Sequence, residues 1–173
     1  MASIRWWSIL CVLALSGCFV SQDVLLLDAG KAVTPVPAGH YLRAGDKHAI
    51  VLTARADGWY TMTDADGDHD LLVTPLGAPG QEIHAAAFAN TGCAAKPDTC
   101  LWTYAVLWMN GTQLKTVEPR CDDDGDAVAR FIDHRSGDGN YYCYFTSVGA
   151  LQRALLKIYK RKKINMSDTY TRQ

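Results

Sequence analysis

A repeated alternation of strand-like segments and tight turns constrains this chain more than any other feature. Between residues 40 and 145, segments rich in Val, Ile, Thr, Tyr and Trp are separated by Asp-Gly or Asn-Gly pairs. Branched and aromatic side chains suit a pleated, half-buried surface, and these pairs tolerate the backbone of hairpin turns. The pattern predicts nine strands, at 40–43, 49–55, 59–63, 71–74, 82–88, 101–109, 112–118, 127–133 and 141–145.

The chain changes character after residue 146. Val148, Leu151, Leu155 and Ile158 recur at three- and four-residue spacing, which predicts an amphipathic helix over 147–160. The residues from 164 to 173 are polar and predict a frayed tail. The whole pattern is typical of a mainly β protein, a compact antiparallel barrel or sandwich of about eight or nine short strands with one C-terminal amphipathic helix.

Two strands carry finer predictions. A two-residue turn at Asn110-Gly111 would pair Leu107 with Leu114 and Trp108 with Gln113. The segment 101–109 is apolar on both faces, which indicates a central strand covered on two sides. We expect the C-terminal helix to cover one face and a partner protein to cover the other.

The first eighteen residues indicate export. Arg5 supplies a positive charge, and a nearly unbroken apolar run over 6–15 is too short to span a bilayer. The run ends in Leu15-Ser16-Gly17-Cys18, which resembles the lipobox of bacterial lipoprotein precursors. The alternative interpretation is a plain secretory signal peptide, in which Cys18 would be an unmodified thiol.

The resemblance implies a diacylglyceryl thioether on Cys18, cleavage before it, and acylation of the new amine by a fatty acid such as palmitate. The chain would then divide into a signal peptide (1–17), a lipidated cysteine with a tether (18–39), a single domain (40–163) and a polar tail (164–173). Phe19 stands where enteric-type lipoproteins retained at the inner membrane have Asp. The family pattern therefore implies the outer membrane, with the domain facing the periplasm.

Four cysteines remain in the exported body: Cys93, Cys100, Cys121 and Cys143. An even count in an oxidising compartment predicts two disulfides. Three connectivities are possible, and we favour Cys93–Cys100 with Cys121–Cys143, since sequential neighbours close short loops. A four-cysteine zinc site would need closer pairs than these.

Charge is unevenly distributed although the net charge is only -1. Residues 151–173 carry seven basic residues and one acidic residue, whereas residues 18–150 carry nine basic and seventeen acidic residues. The near-neutral total argues against nucleic-acid binding. The densest basic run comprises Lys157, Lys160, Arg161, Lys162 and Lys163. It could contact anionic lipid or a partner, or it could be a solvated helix end. A third possibility is that it folds back onto the acidic body.

Two acidic clusters suggest calcium, because several Asp oxygens in one loop are suitable ligands. The first cluster is the better candidate and comprises Asp64, Asp66, Asp68 and Asp70. The second spans 122–126. Neither matches the EF-hand pattern, and both would also serve as soluble hairpin tips.

The sequence contains none of the hydrolase, metalloprotease or phosphate-binding motifs G-x-S-x-G, H-E-x-x-H and the glycine-rich phosphate loop. We therefore expect a non-catalytic envelope lipoprotein that binds another envelope component. The alternative is a small periplasmic hydrolase or a carrier of an apolar ligand; a cavity inside the barrel would favour the carrier, and a flat exposed aromatic patch would favour the binding module. Lipocalin-like proteins share the predicted outline, but their Gly-x-Trp signature is missing, so the resemblance implies architecture and no ligand.

Overall fold

The computed structural model describes residues 18–25, 35–43, 49–77, 82–96, 100–136, 142–162 and 168–173. The predicted signal segment 1–17 and Lys163 lie outside these ranges. Within them the chain forms, in order, β1 (Phe19–Ser21), β2 (Gly39–Arg43), β3 (Ala49–Ala54), β4 (Tyr60–Asp64), β5 (Gly67–Pro75), β6 (Ile83–Asn90), β7 (Trp102–Asn110), β8 (Gln113–Val117), α1 (Cys121–Val128), a 3-10 turn (Ala129–Phe131), β9 (His134–Arg135), β10 (Cys143–Tyr144), α2 (Val148–Lys162) and β11 (Asp168–Arg172).

Eight antiparallel strands close into a barrel, which confirms the predicted fold class. Strands β2 to β8 pair in chain order, and β11 pairs with both β8 and β2, so that no edge remains between them. Outside the barrel, β1 pairs with the start of β7 and with β10, and β10 pairs with β9. Strands β2 to β8 correspond to seven of the predicted segments, because their alternating side chains have a core on the inner face. Six agree within two residues at each end, whereas β5 begins four residues before the predicted start at 71.

The β7–β8 hairpin forms, but its predicted register is wrong. Leu107 pairs with Thr116 and Trp108 with Lys115, because the turn residues are Gly111 and Thr112. Gly111 has a φ of +59°, the conformation that a turn with glycine in its first central position requires. Asn110 therefore stays in the strand, and each partner moves by two residues without changing faces.

The buried residues form two separate cores, one on each side of the barrel wall. The inner core contains side chains such as Leu52, Leu71 and Leu107. The outer core lies between the wall and the elements that cover it, chiefly α2, whose apolar stripe is fully buried at Leu151, Ala154, Leu155 and Ile158. Strand β7 is covered on both faces as predicted. The barrel interior, rather than a partner protein, covers its second face.

The strand predicted at 127–133 is wrong, because this segment belongs to α1 and the 3-10 turn. Asp122 and Asp123 lie in the first turn of α1, where carboxylates interact favourably with the helix dipole. The second acidic cluster is therefore helical and is not a hairpin tip. The helix prediction at 147–160 is confirmed, with α2 ending two residues later.

The described parts of the predicted tether are packed against the body. Phe19 and Val20 are fully buried in β1, and the backbone N–H of Leu25 donates to the Tyr104 hydroxyl over 3.1 Å. Docking against β7 removes the apolar side chains of Phe19 and Val20 from water, which stabilises the packed segment. The predicted frayed tail is also wrong over 168–172, where β11 fills the gap between β2 and β8.

Both predicted disulfides are confirmed. Cys93–Cys100 closes the connection between β6 and β7, with 5.8 Å between the Cα atoms. Cys121–Cys143 joins the start of α1 to β10, with 5.3 Å between the Cα atoms. Cys18 is the one cysteine among the described residues that is not part of a disulfide.

Candidate functional site

A cavity of about 240 Å³ lies inside the barrel. Its walls are apolar side chains contributed by strands on every side of the barrel. Ala86 and Ala105 face each other across β6 and β7, and their small side chains leave space that larger residues would fill. The other apolar lining residues include Ile50, Leu52, Met62, Leu71, Phe88, Leu107 and Leu114.

Val36 closes one end of the barrel. It is 1% exposed and belongs to the inner core. The Tyr60 hydroxyl donates to the carbonyl of Val36 over 2.7 Å and accepts from its backbone N–H at 3.2 Å. The Tyr41 hydroxyl donates to the carbonyl of Pro37 over 2.6 Å. These bonds satisfy the backbone groups that the segment carries into an apolar interior, so the segment is a stable plug.

The opposite end of the cavity is polar and acidic. Asp64 and Asp66 lie at the β4–β5 turn, and Glu118 follows β8 across the mouth; all three line the cavity. One oxygen of Asp64, Oδ1, accepts from the backbone N–H of Asp66 over 2.8 Å and lies 3.3 Å from Nε2 of His69. Among the described residues, the charged side chains that line the cavity are those of Asp64, Asp66 and Glu118.

The four residues of the predicted calcium site do not converge. Asp64 lies at the cavity mouth, whereas Asp68 accepts a hydrogen bond from the Thr63 hydroxyl. Asp70 points to the outer side of the wall, where its carboxylate contacts Arg55 at 2.7 Å and the backbone N–H of Ala94 at 2.8 Å. In the part of the chain that the structure describes, no three His, Cys, Asp or Glu residues are placed to hold a metal ion.

His84 is a buried polar residue of β6. It is 9% exposed, and within the described chain its Nδ1 atom has no hydrogen-bond partner. Burial lowers the pKa of His84, although a hydrogen bond to the carbonyl of Glu82 acts in the opposite direction. The neutral imidazole is therefore the form that the fold favours.

Cys18 lies at the surface of the body, beside the cavity mouth. It forms a backbone bridge with Arg120, two residues after Glu118, and its side chain is half-buried. Burial raises the pKa of the Cys18 thiol, and the charges of Glu118 and Asp122 raise it further. An unmodified Cys18 would thus be a weak nucleophile.

The predicted basic run is divided by the fold. Lys162 contacts the carboxylate of Asp124, so this residue folds back onto the acidic body. Lys157, Lys160 and Arg161 are exposed on α2. Asp124 also accepts from the backbone N–H of Arg120, which places the end of α2 on the same side of the body as Cys18.

The flat exposed aromatic patch that would favour a binding module has no counterpart among the described residues. Trp102, Tyr104 and Tyr60 are almost completely buried, and the exposed large hydrophobic side chains of the described chain are Leu101 and Val148. The cavity, by contrast, is a feature that the strand pattern did not reveal. The one feature of the sequence that could have indicated a cavity is the pair of alanines, Ala86 and Ala105, at inward-facing positions of β6 and β7.

Neither helix in the described ranges combines the length and apolar character that crossing a membrane would require. Comparisons of the chain with protein-family models, with curated proteins and with solved structures find no match.

Proposed function

We propose that this protein is a lipid-anchored envelope protein whose barrel binds a small apolar ligand. The observation that carries the proposal is the cavity, which has apolar walls and is closed at one end by the buried Val36. Of the functions that the sequence leaves open, this cavity favours the carrier. The partner protein was inferred from the second apolar face of β7, and the barrel interior now accounts for that face.

The cavity volume limits the size of the ligand. A cavity of 150 Å³ holds benzene, and sites for drug-sized molecules occupy roughly 300–1,000 Å³. At about 240 Å³, the barrel accommodates one substituted ring or a chain of about eight carbons. A complete phospholipid is too large for the enclosed space.

The anchor is proposed from the lipobox and is supported by the position of Cys18. This residue is at the surface and immediately precedes a strand that is fully buried at Phe19. A thioether there would hold the body directly against the bilayer, because no flexible spacer separates Cys18 from β1. Placement at the outer membrane, facing the periplasm, is proposed from Phe19 by its resemblance to enteric-type precursors.

Ligand binding is tested by titrating 1-octanol into the purified exported protein held in nanodiscs. The same titration into empty nanodiscs is subtracted, because it measures the partitioning of 1-octanol into lipid. We expect saturable binding of one molecule per protein. Ala105→Leu fills part of the cavity and should weaken binding about tenfold or more while leaving the melting temperature unchanged or higher. An absence of saturable binding, or identical binding by Ala105→Leu, would contradict the proposal.

The anchor is tested separately by intact-mass measurement of the protein from its own membranes. We expect a chain that begins at Cys18 and carries acyl groups, and we expect Cys18→Ala to lose the added mass and leave the membrane fraction. Detection of an unmodified thiol would show that the anchor is wrong, whatever the outcome of the ligand titration.

A further inference from the structure

We infer that the exposed face of α2 docks onto the anionic surface of the membrane that holds the protein. Arg153, Lys157, Lys160 and Arg161 form this basic face. The inference rests on the proposed anchor at Cys18 and adds an orientation to it. The anchor brings the body to the bilayer, and the basic face determines which side of the body lies against lipid.

The basic face is a single stripe of α2. Positions 153, 157 and 161 are successive four-residue steps, and position 160 lies beside them, so a helix places all four on one side. All four residues are exposed. The 15 residues of α2 include no Asp or Glu, so nothing within the helix offsets this charge. The opposite side of α2 is buried at Leu151, Ala154, Leu155 and Ile158.

The helix dipole does not account for the whole stripe. Its favourable effect on cations is confined to about the last turn, whereas Arg153 and Lys157 lie before that turn. Lys162 differs from the basic face, because it pairs with the buried carboxylate of Asp124. In the part of the chain that the structure describes, none of the four residues of the basic face forms a salt bridge.

The 3-10 turn extends the positive surface beside α2. The guanidinium of Arg130 lies 4.6 Å from the centroid of the Phe131 ring, and that of Arg153 lies 5.4 Å from the same centroid. One ring thus holds two exposed cations close together. A nearby anionic surface would stabilise this arrangement, because it attracts both charges.

The carboxylates of the neighbouring helix α1 pair with arginines outside the basic face. Asp122 and Asp123 contact Arg120 at 2.8 and 3.4 Å, and Asp126 contacts Arg135 at 2.9 Å. The negative charge of α1 is therefore offset locally, and the basic face keeps its charge for an outside partner.

The C-terminal end of the basic face lies near the proposed anchor. Cys18 forms a backbone bridge with Arg120, the backbone N–H of Arg120 donates to Asp124, and Asp124 contacts Lys162, the neighbour of Arg161. A bilayer that holds Cys18 thus has its head groups beside this end of α2. Each Lys or Arg close to an anionic bilayer strengthens binding about fivefold.

The test measures which lysines lie against lipid. The full exported protein, purified from its own membranes, is reconstituted on vesicles of phosphatidylcholine with or without phosphatidylglycerol. Mass spectrometry then follows the acetylation rate of each lysine. We expect Lys157 and Lys160 to react several times more slowly on the anionic vesicles, and Lys115 on β8 to react equally on both. Raising the salt concentration should remove the difference.

Three double variants show whether the basic face causes the protection. Arg153→Gln/Arg161→Gln removes the charges one turn to either side of Lys157 and should abolish its protection. Arg153→Lys/Arg161→Lys keeps both charges and should retain the protection. Lys96→Gln/Lys115→Gln removes the same net charge from positions outside α2 and should also retain it. Thermal melting of each variant establishes that it is folded.

Equal acetylation of Lys157 on the two kinds of vesicle would overturn the inference. So would protection that survives Arg153→Gln/Arg161→Gln, or protection that Lys96→Gln/Lys115→Gln abolishes equally. Intact mass separates these results from the anchor. If Cys18 is acylated and Lys157 is unprotected, the orientation is wrong and the anchor stands. If Cys18 is unmodified and Lys157 is still protected on anionic vesicles, the anchor is wrong and the docking surface stands.

Discussion

The ammonium nitrogen of Lys162 lies 2.7 Å from Oδ2 of Asp124, a carboxylate whose side chain is only 1% exposed. This ion pair connects the end of α2 to α1, and the same carboxylate oxygen accepts from the backbone N–H of Arg120. Lys162→Met should lower the free energy of unfolding by about 2 kcal/mol, because it leaves a buried carboxylate with one donor. Chemical denaturation measures the change.

The matched control for that prediction is Lys160→Met. Lys160 is two residues earlier on α2 and exposed, so its loss should change stability by less than about 0.5 kcal/mol. Equal effects of the two substitutions would show that helix charge, rather than the contact with Asp124, accounts for the stability.

Asp70 should be structural. It is buried, and it joins Arg55 to the backbone N–H of Ala94 in the disulfide loop. Asp70→Ala should cost about 2 kcal/mol, because it leaves the Ala94 N–H without its acceptor. The matched control is Asp126→Ala. Asp126 also pairs with an arginine, Arg135, but the Asp126 side chain is 93% exposed, so its removal should have no measurable effect on stability. Addition of calcium that raises the melting temperature in wild type but not in Asp70→Ala would contradict this role.

Two helical glycines should respond oppositely to alanine. A Cβ atom at Gly125 would lie 3.1 Å from the Cys143 sulfur, which the disulfide fixes in place. Gly125→Ala should therefore destabilise the protein by about 1 kcal/mol, despite the better helix propensity of alanine. At Gly149 the nearest atom is the mobile guanidinium of Arg153, at 3.4 Å, and Gly149→Ala should stabilise by about 0.5 kcal/mol. Thermal melting of the two variants side by side tests the difference.

His84 should make stability depend on pH. Burial lowers its pKa in the folded state, so between that value and the unfolded value of about 6.5 the unfolded chain binds more protons. The stability contribution is complete above about pH 6.5 and declines as the pH falls below it. His84→Gln should reduce the loss of stability between about pH 7.5 and pH 5, as measured by urea unfolding. The control His40→Gln, at an exposed position, should leave this loss of stability unchanged. An unchanged pH profile in His84→Gln would contradict the assignment.

The sequence predicted the parts of the fold that depend on local patterning. Alternating side chains located β2 to β8, and the helical stripe of Leu151, Leu155 and Ile158 located α2. The hairpin register was missed by one turn position, because the sequence does not show which residue of Asn110-Gly111-Thr112 leaves the strand. The segments at 19–21 and 168–172, which form β1 and β11, are short, and what decides their conformation is the sheet edge available to them in the folded barrel.

The site was harder to predict than the fold. The cavity depends on which residues face inward across eight strands, and Ala86 and Ala105 are informative only after their pairing is known. The acidic cluster at 64–70 was recognised, but alternation along β4 and β5 sends Asp64 to the cavity mouth and Asp70 to the outer core. Neighbouring acidic residues thus acquire different roles, which spacing alone does not reveal.

Closure of the barrel depends on β11, whose Arg172 side chain donates to the carbonyl of Ala38 at a separation of 134 positions. Until β11 docks, β2 and β8 both present unpaired backbone groups, and the barrel that encloses the cavity is open between these two strands. Contacts so distant in sequence form slowly. A chain that folds from an extended state would therefore pass through an intermediate with two exposed strand edges, and that interval is when it is most prone to aggregate.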